Sequence, residues 1–109
     1  RVAVAARLFY LAADLTTGGF AMETRVAVIA VIVENEDAVT ELNALLHQYG
    51  MYIIGRMGVP YRARGVNIIS VVLDAPQDVI SALSGRMGRL EGVSAKTLYS
   101  NVITPIEDR

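Results

Sequence analysis

The 109 residues are 53% hydrophobic and only 19% charged, with ten Lys and Arg against eleven Asp and Glu for a net charge of −1. That is enough chain for one domain with one core, and it lacks the basic excess that direct DNA or RNA binding requires. With no cysteine and a single histidine, His47, a disulfide framework and a thiolate metal site are excluded, and no metal or other cofactor is expected.

The first 21 residues, RVAVAARLFYLAADLTTGGFA, stand apart. Their apolar patch at residues 8–13 is shorter than the roughly 7–15 residues of a signal-peptide core. Adjacent glycine codons at Gly18 and Gly19 can spell a ribosome-binding sequence just upstream of Met22. Residues 1–21 are therefore expected to be an untranslated leader or a disordered extension, residues 22–103 the domain, and residues 104–109 a polar tail. The longest apolar run, residues 26–33, falls well short of the about 20 residues needed to cross a bilayer. A cytoplasmic location without membrane contact is expected.

Residues 25–33, RVAVIAVIV, are β-branched or apolar at nearly every position, which predicts a strand buried on both faces. Asn35 then suits a helix N-cap, with Glu36 and Asp37 placed where negative charge favours the helix dipole. Val39, Leu42, Leu45, Leu46 and Tyr49 recur at helical spacing, and Gly50 offers a C-terminal stop. MYIIGRMGVPY, residues 51–61, predicts a second strand, which Pro60 confines to an edge or a bulge. The polar turn Arg62-Ala63-Arg64-Gly65 leads into a third strand at residues 66–73.

Pro76 suits the first position of a second helix, whose face is Val79, Ile80, Leu83 and Met87 and whose end is Gly88. Gly92 makes a turn, and residues 93–102 form a fourth strand. The order β-α-β-β-α-β predicts an α+β, ferredoxin-like sandwich: two helices on one face of an antiparallel four-stranded sheet. The tetrapeptide GRMG occurs at residues 55–58 and again at 85–88. One copy falls on a strand and the other at a helix end, so the repetition carries no common role. Two helices cover one face of the sheet only. The other is left as an apolar patch of roughly several hundred Å2, which monomers rarely expose. A dimer or tetramer, formed through this open face and the strand edges, is expected.

The runs YIIGRMGVPYRARGVNIISVVLDA and ISALSGRMGRLEGVSAK resemble the small family of regulators proposed for the iron-only hydrogenase system, over about residues 22–101. The resemblance implies an ACT-like domain, related in shape to the ligand-sensing domain of nickel-responsive repressors, and an oligomeric sensor or regulator. Nickel sensing does not carry over, because that site uses several histidines and a cysteine. Nor does a ribbon-helix-helix DNA-binding domain. Any regulation would act through a protein partner.

Three function classes follow. The first is a non-enzymatic, small-molecule-sensing regulatory module. The second is a structural or protein-interaction subunit without a ligand. The third is an acylphosphatase-like enzyme, which shares this fold. That family binds phosphate in the loop between strand one and helix one, and here the loop is the acidic Glu34-Asn35-Glu36-Asp37. His47 has no nucleophile at a useful offset and is expected to sit solvated near a helix end. No catalytic residue is assigned. For a small anionic ligand the candidate residues are Arg56, Arg62 and Arg64, whose guanidinium forks suit carboxylate or phosphate. Gly58 would leave space beside them, and Asn35 and Glu36 would come from a neighbouring subunit. The competing reading of these arginines is a charged edge that blocks strand addition.

Overall fold

β1 (Glu23–Val33) alternates between two environments along its length. Ala27, Ile29, Val31 and Val33 are almost wholly buried, while Ala30 and Ile32 between them are exposed. This is the period-two pattern of a strand covered on one face. The computed structural model describes residues 23–105. The expected leader, residues 1–21, and all but the start of the expected tail lie outside that range.

After β1, Asn35 has extended backbone (φ −128, ψ 111), and its side chain accepts the Asp37 N–H. A 3-10 turn (Glu36–Ala38) continues into α1 (Val39–Gln48). A second 3-10 turn (Gly50–Tyr52) precedes β2 (Ile53–Tyr61), so that strand starts two residues later than the sequence predicts. A third (Arg62–Arg64) leads through Gly65 to β3 (Val66–Ala75). α2 (Gln77–Gly88) and β4 (Val93–Pro105) complete the chain, β4 running three residues beyond the predicted end.

The four strands form one antiparallel sheet in the order β2-β3-β1-β4. β2 is an edge strand, where the missing N–H of Pro60 is tolerated. One core fills the space between sheet and helices. Leu42, Leu45 and Leu46 of α1 and Ile80, Leu83 and Met87 of α2 pack onto Ile29, Val31, Val71 and Leu73. The predicted apolar helix faces are thus the buried ones, and Met87 is a core residue. The β1–β4 register shifts at a bulge between Arg25 and Ala27. There Arg25 donates from Nε and Nη2 to the Ser100 carbonyl at 3.2 and 2.7 Å and lies 4.8 Å from the centre of the Tyr99 ring.

Three sequence expectations need correction. Gly50 comes after α1 and Gly88 is the last residue of α2, but neither is a left-handed cap, since Gly65 and Gly92 are the described glycines with positive φ. α1 closes with an ordinary α-helical bond from the Tyr49 N–H to the Leu45 carbonyl, and the end of α2 tightens through the Leu90 N–H to the Met87 carbonyl. Pro76 is the residue before α2, not its first, because its ψ of 150 keeps it extended. Its carbonyl accepts the Val79 and Ile80 N–H groups.

The open face of the sheet is as apolar as predicted. Ile32, Met57, Val59, Tyr61, Ile68 and Leu98 all point away from the helices and are 41–73% exposed. Element order, sheet order and helix placement together make this a ferredoxin-like α+β domain.

Candidate functional site

On α1 and the turn before it, Glu36, Val39, Thr40 and Asn43 stand at i, i+3, i+4 and i+7, so they share one side of the helix. On β2, Arg56, Gly58 and Pro60 alternate and share one side of the strand. The two rows face each other across a trough. Its larger part, about 620 Å3, lies between Glu36 and Thr40 on one wall and Arg62 and Asn67 on the other. Its smaller part, about 230 Å3, is lined by Asn43, Arg56, Gly58 and Ile69. Val39, Pro60 and Asn67 line both.

Arg56 Nη2 donates to Asn43 Oδ1 at 3.1 Å, tying the edge strand to α1. A guanidinium carries five N–H donors, so the bond to Asn43 uses only a small part of its capacity. Arg56 and Arg62 against Glu36 leave the trough with a net positive charge of one.

Of the six residues expected to form an anion site, Glu36, Arg56, Gly58 and Arg62 line this trough within one chain. Asn35 and Arg64 do not line it. The Asn35 side chain is used as a cap, and Arg64 sits in the turn beyond Arg62. Sequence reasoning missed Thr40, Asn43 and Asn67. Their signal was the helical spacing from Glu36 and the cross-strand position of Asn67 opposite Pro60. His47 is exposed near the end of α1, as expected. Among the described residues, no group of three or more histidine, aspartate and glutamate side chains could hold a metal ion.

Beyond the C-terminal end of α1, burial pushes the Tyr52 phenol above its ordinary 10.0, with the Asp78 carboxylate and Tyr49 adding to the rise. Desolvation and nearby negative charge both disfavour the phenolate. In a titration followed by phenolate absorbance, a late step should appear above the ordinary tyrosine range, and Tyr52→Phe should remove it. Because the folded value is raised, the stability this group contributes is fully present below about pH 10. It is lost as pH climbs through the folded value. A Tyr52→Phe curve that keeps the late step would assign it to another tyrosine.

Strand order, helix layer and open sheet face define the class: a ferredoxin-like domain of βαββαβ order. The TM1266-like family, described as a proposed iron-only hydrogenase system regulator, matches residues 25–97, and the chain belongs to that family. Among solved structures, the uncharacterized protein TM1266 from Thermotoga maritima is similar with a TM-score of 0.67 and 36% identity, over 70% of this chain and 96% of that one. No curated protein matches the chain. No helix among the described residues is long and apolar enough to cross a membrane.

Proposed function

We propose that the chain is a non-enzymatic regulatory module in which a second copy covers the open sheet face and the trough takes a small anionic ligand. The observation that carries this reading is the open face itself. Six large apolar side chains spread over all four strands are at least two-fifths exposed, a patch that a monomer would leave wet. The family's description as a regulator of the iron-only hydrogenase system supports a regulatory rather than catalytic role. With a net charge of −1, the chain would act through a protein partner rather than on DNA.

Size exclusion with light scattering should give at least a dimer. A thermal-shift screen of phosphate, nucleotides and dicarboxylates should find an anion that raises the melting temperature, because a ligand bound only to the native state stabilises it. Arg62→Ala and Arg56→Ala should each weaken that ligand by roughly ten- to a hundredfold, the loss of one hydrogen bond to a charged group. Unchanged affinity in both variants would remove the trough from the reading.

A second reading is an interaction subunit without a ligand. The Glu36 carboxylate favours it, since it shares the larger part of the trough with Arg62 and opposes an anion there. An oligomer whose melting temperature no anion shifts would select this second reading.

A further inference from the structure

A second groove lies on the outer side of the helical layer, away from both the sheet and the trough. Glu41, Ala44, Leu45 and Gln48 stand at i, i+3, i+4 and i+7 on α1 and form one wall. Arg86, Arg89 and Leu90 of the α2 end form the other. The groove encloses about 330 Å3. Ligand pockets run from about 300 to 1,000 Å3, so this one suits a small molecule. A folded partner, which needs roughly 800 Å2 of contact on each side, would find too little here.

The two arginines differ in a useful way. Arg86 is held in place: its Nη1 donates to the Tyr49 hydroxyl at 3.2 Å, and its guanidinium carbon lies 5.8 Å from the centre of that ring. The Arg89 guanidinium has no hydrogen-bond or ion-pair partner among the described residues. Its Nη2 passes 3.6 Å from where a Cβ on Gly85 would stand, so it lies back along α2 over a residue with no side chain. One fork is pre-oriented and the other is unpartnered, above an apolar lining of Ala44, Leu45 and Leu90.

Charge decides between anions. Two guanidinium groups and the Glu41 carboxylate on the opposite wall leave a net charge of plus one. A single carboxylate is matched by that charge. A phosphate dianion is not, and Glu41 repels it more strongly. The apolar lining favours a ligand with a hydrocarbon body.

We propose that the groove between α1 and α2 is a binding site for a small monocarboxylate with an apolar body, its carboxylate taken by Arg86 and Arg89. This site is independent of the trough and of its reading as an anion site.

The experiment is an amide and arginine side-chain NMR titration of the full chain, with benzoate as probe and inorganic phosphate as the comparison. Benzoate should produce saturable shifts at Leu45, Arg86, Arg89 and Leu90, with phosphate at the same concentration producing none there. Arg89→Gln, an exposed substitution that leaves the core untouched, should weaken benzoate by about tenfold or more. Three results would each overturn the proposal: no saturable shift in the groove, phosphate binding there as well as benzoate, or undiminished binding by Arg89→Gln. Shifts confined to Arg62 and Asn67 would also overturn it while leaving the trough reading intact.

Discussion

Val31→Asp is expected to abolish folding, whereas Val28→Asp should leave a folded chain that no longer self-associates. The two residues are three apart on the same strand and chemically identical, so only their faces differ. Val31 is 0% exposed, with Ile69 and Ala95 as its cross-strand partners and the helices above it. An unpaired carboxylate there costs several kcal/mol even after relaxation. Total stability for a domain of this size is only about 5–15 kcal/mol. Val28 lies on the open face between Val72 and Leu98, the latter 73% exposed. In a monomer its carboxylate would be hydrated at little cost. In a dimer covering that face it would be buried without a partner. Circular dichroism reads the fold and light scattering the assembly. A parent protein that is already monomeric at micromolar concentration, or a Val28→Asp variant that still associates, would remove the open face as the contact surface.

Gly92→Ala should be far more damaging than Gly65→Ala, although both glycines have positive φ, at 77 and 67. A left-handed conformation costs an alanine about 1–2 kcal/mol. At Gly65 nothing lies within 4 Å of an added Cβ, so that backbone cost is the whole expectation. At Gly92 the added Cβ would stand 2.5 Å from Asn35 Cβ and 3.1 Å from Asn35 N. Neither can move freely. Asn35 caps the turn into α1, and the neighbouring Glu34 N–H donates to the Gly92 carbonyl at 2.7 Å. The expected loss is about 3 kcal/mol or more, the backbone cost plus the displacement of a cap. For a domain of 60–100 residues, each 1 kcal/mol is worth about 4–8 °C in melting temperature. Thermal melts of the two variants side by side check this. Equal losses would show that the Asn35 turn yields to the added methyl group.

The order of elements was legible because each carries a local signal. Val39, Leu42, Leu45 and Leu46 repeat at helical spacing, the run RVAVIAVIV is β-branched, and Pro60 points to an edge. Asn35 was legible as a cap, since the side-chain bond it makes spans only two residues. The family resemblance rests on the residues around the two GRMG segments and agrees with the family match over residues 25–97.

The candidate site was only half legible. Arg56 and Arg62 could be named from charge on a hairpin, but Asn43 and Thr40 belong to a helix whose orientation over β2 the sequence does not state. The bond from Arg56 to Asn43 exists because α1 packs beside that edge strand. The groove holding Arg86 and Arg89 was invisible for the same reason. Its two walls are remote in sequence and meet only when both helices lie on the sheet.

By itself, then, the sequence determined the βαββαβ order, the apolar character of both sheet faces and the turns at residues 62–65 and at Gly92, because these depend on periodicity and on single residues. It did not determine which face of β1 the helices would cover, since Val28 and Val31 look alike in the chain. Only the tertiary structure decided that Val31 is core and Val28 open, that Gly92 must lack a side chain to admit Asn35, and that Glu36 and Arg62 share one trough. Each is a contact between segments distant in sequence, set by how α1 and α2 pack against the sheet.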